Sequence, residues 1–162
     1  MKKHAKRRAA HVPQYTLMHE LAGSPTSPVA EHLLVGHLGL LRAALLALQT
    51  DPAPTTTAWG TLSDAVNMLA SLQELGYIND DSEEIVKAKD AMGEAGARHL
   101  AGGVLRLSGP GIATLHALLD DYSDVVHALS ARQFIKAVRH AERRVLELMR
   151  GKSAAGDRVI AL

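Results

Sequence analysis

Residues 27–49 read SPVAEHLLVGHLGLLRAALLALQ, and this stretch decides the fold. Ser27 is placed to cap a helix and Pro28 to open it at the first helical position. A missing N–H costs nothing there, because the first turn lacks intrahelical acceptors anyway. Leu33, Leu34, His37, Leu38, Leu40, Leu41, Ala44, Leu45 and Leu48 then cover more than about 150° of a helix that turns about 100° per residue. A helix this apolar is central to a bundle, or hides part of itself in another subunit. Asp51-Pro52-Ala53-Pro54 stops it.

The flanking sequence repeats the helical period. Upstream, Thr16–Ala22 has room for two helical turns before the breaker Gly23-Ser24-Pro25-Thr26-Ser27-Pro28. Downstream, a helix is expected over 57–75, with Leu62, Ala65, Leu69 and Leu72 inward and Gly76 as the left-handed residue of a Schellman ending. Asp81-Ser82-Glu83-Glu84 resembles a capping box for a helix running to about Ala101, in which Gly93 and Gly96 imply a close crossing or a bend. Val104-Leu105-Arg106-Leu107 alternates like a short extended piece, after which Ser108 caps a helix from Gly109 to about Leu129. Ser130-Ala131-Arg132-Gln133 is a second capping box, stapled by Leu129 and Phe134. Its helix reaches about Arg150, with Phe134, Val138, Ala141, Val145 and Leu148 inward. The fold expected is all-α: a basic arm (1–13), a single bundle of about five main helices (14–150) and a short tail (151–162), where Val159-Ile160-Ala161-Leu162 can dock.

Composition agrees. The chain has 162 residues, 26 alanines and 24 leucines against 16 valines and isoleucines together, a ratio that favours helix over sheet. A chain of this length buries roughly two-thirds of its unfolded surface and needs no metal or disulfide to fold. With no cysteine, thiolate zinc sites, iron–sulfur clusters and thiol nucleophiles are excluded. The net charge of +1 conceals segregation. Residues 1–11 carry five Lys/Arg and no acid, 52–130 carry eleven acids against four Lys/Arg, and 131–152 carry seven Lys/Arg against two acids. Such asymmetry suits contact with a polyanion or between unlike patches. Ala9–Gln14 is no signal-peptide core, and Leu33–Leu48, interrupted by His37 and Arg42, is shorter than the ~20 residues of a membrane span, so a cytoplasmic protein without a membrane contact is expected.

Trp59, Leu62, Asp64, Ala65, Asn67, Leu72 and Leu75-Gly76-Tyr77, followed by Leu105–Pro110, Ile112 and Leu115, form a pattern that resembles short uncharacterised accessory proteins of bacterial prophages and plasmids. The resemblance spans about 55–150. It implies an accessory role in a mobile element, regulating or blocking a host system, and transfers no chemistry to any residue.

Catalytic templates are missing: there is no Gly-x-Ser-x-Gly, no Walker loop and no His-Glu-x-x-His. Of nine histidines, His37 and His99 lie on apolar helix faces, where they either meet around a metal or act as core histidines satisfied by a carbonyl or hydroxyl. His116, Asp120, Asp124 and His127 share one helix face opposite a leucine stripe, which reads either as metal ligands or as a solvated face. Lys136, Arg139, Arg143 and Arg150, with Lys2, Lys3, Lys6, Arg7 and Arg8 of the arm, are candidate phosphate contacts. Trp59 and the acids Asp80, Asp81, Glu83, Glu84 and Asp90 are candidate contacts to a partner, and Leu46 is a further exposed apolar position. The leading expectation is a non-enzymatic, cofactor-free regulator or inhibitor that binds a host protein or nucleoprotein complex stoichiometrically, with a homodimer as a further possibility. Direct DNA or RNA binding is the first alternative and a histidine-based metal-dependent hydrolase the second.

Overall fold

The computed structural model describes residues 13–81, 83–152, 160 and 161. Among them are six helices and no strand: α1 (Leu17–Ala22), α2 (Glu31–Thr50), α3 (Thr56–Glu74), α4 (Glu84–Leu100), α5 (Gly109–His127) and α6 (Ala131–Met149). The all-α bundle read from the sequence is the observed architecture, with α1 as a short addition to five main helices.

Most helix boundaries follow the local chemistry. Ser108 accepts the Gly111 N–H and Ser130 accepts the Gln133 N–H, while the Gln133 side chain answers the Ser130 N–H to complete the capping box. α3 ends in the Schellman motif: Gly76 takes φ +72°, and the N–H groups of Gly76 and Tyr77 reach the carbonyls of Gln73 and Leu72. Two starts differ from expectation. α2 begins at Glu31 behind Ala30 with no side-chain cap, because Ser27 and Pro28 are drawn to the start of α6. There the Ser27 carbonyl accepts the Ala131 N–H, and Pro28 bridges Ser130. α4 begins at Glu84, and the Ile85 N–H is taken by the Asp80 carboxylate at 3.1 Å, from just upstream of the proposed box. Ser82 lies outside the described residues.

α3 is the hub. It packs against α2, α4 and α6, while α2 and α4 also pack on α5, and α1 lies on α6. Eleven α3 residues are buried, from Trp59 to Leu72. Leu41, Leu45, Leu48, Met92, Leu115, Tyr122 and Val126 complete the centre. At roughly 1.5–3 kcal/mol for each large apolar side chain removed from water, this core supplies the main driving force for folding. Close approach of α5 to α4 occurs at Gly111, where an added Cβ would lie 3.0 Å from Ala91 Cβ. Of Gly93 and Gly96, singled out for that role, Gly93 faces open space and Gly96 is buried. The 104–107 piece alternates as expected: Leu105 and Leu107 are buried and Val104 is exposed. Arg106 holds it to the α2–α3 connection by donating to the Asp51 carbonyl.

The tail reaches the core. Ile160 is buried, and its peptide is gripped by the buried Asn67 side chain: Nδ2 donates to the Ile160 carbonyl at 2.8 Å and Oδ1 accepts the Ile160 N–H at 3.1 Å. Both hydrogen-bonding groups of the amide are thereby satisfied, as a buried carboxamide requires.

Candidate functional site

α2 and α6 lie on either side of α3 and form no packed pair with each other. Between them runs a groove of about 750 Å³. Its α2 wall is Leu33, Gly36, His37 and Leu40, and its α6 wall is Ile135, Val138, Glu142, Val145, Leu146 and Met149. Asp64, Ala65, Asn67 and Met68 of α3 line it, as do Tyr122 and Val126 of α5. The sequence placed Phe134, Val138, Ala141, Val145 and Leu148 inward on the last helix; Ala141 is buried with Ala137, Phe134 and Val138 are half-buried against the core, and Val145 and Leu148 are half-buried. Phe134 and Val138 pack on the core while only partly buried, and Ile135, Val138, Val145, Leu146 and Met149 line the groove. α2 behaves the same way: five of its residues are buried, whereas Leu33, Val35, Leu40 and Leu46 are 58–65% exposed. At 20 residues α2 is long and apolar enough to cross a membrane, a correction to the shorter span read from the sequence. Its buried leucines belong to the bundle core.

The polar groups in the groove are few. His37 Nε2 lies 2.9 Å from the Tyr122 hydroxyl. Burial pushes the His37 imidazole below its usual 6.5, so it is neutral at pH 7, and burial raises the Tyr122 phenol above its usual 10. The pair is a neutral hydrogen bond anchoring α2 to α5, matching the expectation of a core histidine satisfied by a hydroxyl. His37 does not pair with His99. On α6, Glu142 Oε1 accepts the Gln14 N–H at 2.8 Å, which ties the segment before α1 across the groove edge. Tyr15 meets Phe134 edge to face alongside.

Other candidates are dispersed. Trp59 is 3% exposed and donates its indole N–H to the Met92 carbonyl at 3.1 Å, so it is a core residue joining α3 to α4 rather than a partner anchor. In the first turn of α3 it acts as a lid over the core, set against α4. Asp80 is occupied as the cap of α4, Glu84 is half-buried, and Asp81, Glu83 and Asp90 are exposed. On α6, Arg139 is ion-paired with Glu20 of α1 and Lys136 lies over the Tyr77 ring, whereas Arg143 and Arg150 are exposed members of that stripe. Lys2, Lys3, Lys6, Arg7 and Arg8 lie outside the described residues. His116, Asp120, Asp124 and His127 form an exposed face, with His116 bonded to Gln49 and His127 to Ser123. No group of three or more metal-ligating side chains occurs among the described residues.

One constellation escaped the sequence reading. His140 Nδ1 lies 3.2 Å from Ser71 Oγ and 3.7 Å from Glu74 Oε2, and Glu74 is also ion-paired with Arg144. Serine and carboxylate face the same ring nitrogen, so the imidazole cannot relay a proton between them, and Ser71 is 1% exposed. The cluster fastens α6 to α3. No protein-family model, curated protein or solved structure matches the chain.

Proposed function

We propose that the protein is a non-enzymatic binding protein that acts stoichiometrically, by holding a helix of a partner protein in the groove between α2 and α6. One observation carries this reading: α2 and α6 both pack on α3 but not extensively on each other, and the space between them is lined by apolar side chains that a monomer leaves partly wet. An amphipathic helix laid there would bury the apolar faces of α2 and α6 together, the helix-in-groove mode of recognition. Exposed apolar patches of this kind mark interaction sites in soluble proteins. The regulatory or inhibitory role implied by the resemblance to mobile-element accessory proteins requires no more than such capture. Arg139, neutralised by Glu20, weakens the alternative of direct phosphate binding by α6.

The test uses the exposed wall. Leu33→Asp combined with Leu40→Asp leaves the core intact and places charge in the groove. Immobilised wild-type protein should retain a partner from nuclease-treated host lysate, light scattering of the eluted complex should give a fixed stoichiometry, and the double variant should lose at least tenfold in affinity. Equal retention by the double variant rejects the groove. Loss on charge reversal of Asp81, Glu83 and Asp90 instead would move the interface to the acidic surface.

A further inference from the structure

We infer that the helix accepted by the groove carries a lysine or arginine in the middle of its apolar face, held by Glu142. This inference rests on the groove reading above and adds the chemistry of its occupant. Glu142 sits midway along the α6 wall, with Ile135 and Val138 on one side and Val145, Leu146 and Met149 on the other. It is the one charged residue of that wall. Its Oε1 is hydrogen-bonded to the Gln14 N–H, a contact that leaves the negative charge in place.

Among the described residues, the rest of the groove supplies no lysine or arginine. Its other acid is Asp64, which keeps an interaction of its own, and its histidines are His32, exposed at the start of α2, and His37, whose pKa burial lowers. A half-buried carboxylate tolerates this while water reaches it. A purely apolar helix lying on the α6 wall would strip that water and leave the charge unpaired, which opposes binding. A helix bringing an ammonium or guanidinium to the same point replaces the lost hydration with a charge-assisted hydrogen bond. Apolar walls therefore supply affinity, and Glu142 supplies selection against neutral and acidic helices. The α6 wall spans Ile135 to Met149, about 21 Å at ~1.5 Å per residue, which suits an occupant of about four turns.

The experiment uses the whole protein and three fluorescein-labelled, end-blocked 18-residue peptides. They share one leucine/alanine amphipathic design and differ at a single central position: Lys, Gln or Glu. Fluorescence anisotropy should rank them Lys, Gln, Glu, with at least tenfold between the first and last. Glu142→Gln should remove the ranking while retaining binding, and Glu142→Asp, which keeps the charge, should preserve it. Equal affinity for all three peptides, or a ranking that survives Glu142→Gln, overturns the inference and leaves the groove reading standing. If none of the three binds, both are overturned.

Discussion

α3 and α6 are both 19-residue amphipathic helices, and they are used in opposite ways. α3 is enclosed by three neighbours and buries eleven residues; α6 buries Ala137 and Ala141 and leaves most of its apolar stripe at the groove. α3 carries two charged residues and α6 seven, so α6 keeps a solvated face, and its apolar stripe is covered on fewer sides than that of α3. Enclosed apolar surface stabilises the fold, whereas open apolar surface is available for recognition.

Core truncation should break this contrast most strongly. Leu72→Ala in α3 is expected to cost about 2–5 kcal/mol, because a fully buried leucine leaves a cavity behind. Val145→Ala on the groove wall should cost less than about 1 kcal/mol, since the site is already open to water. Urea unfolding of both variants measures the difference, and similar losses would mean that the groove is closed in solution.

Acid should weaken the anchoring of both groove-flanking helices. His37 joins α2 to α5 and His140 joins α6 to α3, and both imidazoles are pushed below 6.5. Burial is the main cause in each case; at His140, Arg143 and Lys136 add to it and Glu147 opposes. The unfolded chain then binds more protons than the folded one, so stability is complete above pH 6.5 and falls as pH drops through that value toward the folded pKa values. Melting temperatures at pH 7 and pH 5 should show the fall, and His37→Asn with His140→Asn should flatten it.

Two glycine substitutions give the smallest expected effects, with opposite signs. Gly39→Ala on the outer face of α2 meets nothing within 4 Å and should stabilise by about 0.5–1 kcal/mol. Gly111→Ala pushes against Ala91 where α5 approaches α4 and should destabilise. Thermal unfolding of each variant against wild type decides the sign.

Features determined by neighbouring residues were legible in the sequence. The capping box at Ser130 and Gln133, the Ser108 cap, the Schellman ending at Gly76 and the alternation of 104–107 each depend on a few adjacent positions. What depended on distant segments was not. Ser27 and Pro28 have the chemistry of a helix start, yet the Ala131 N–H bonded to the Ser27 carbonyl and the pairing of Pro28 with Ser130, about a hundred residues away, take them. Trp59 belongs to the core because α4 crosses over it, a fact absent from its own wheel. The groove was foreshadowed by an over-apolar α2, but its other wall depends on how α6 is set against α3, which its own sequence does not state. Glu142 showed nothing in sequence to separate it from a solvated helix face.

The enclosed indole has a practical use. Trp59 is the sole tryptophan of the chain, sealed beneath α4 and bonded to Met92. Intrinsic emission should accordingly be blue-shifted in the native protein, move to the red on denaturation, and stay almost constant when a peptide occupies the opposite flank. One fluorophore thus provides a readout of unfolding that saturation of the binding surface does not disturb.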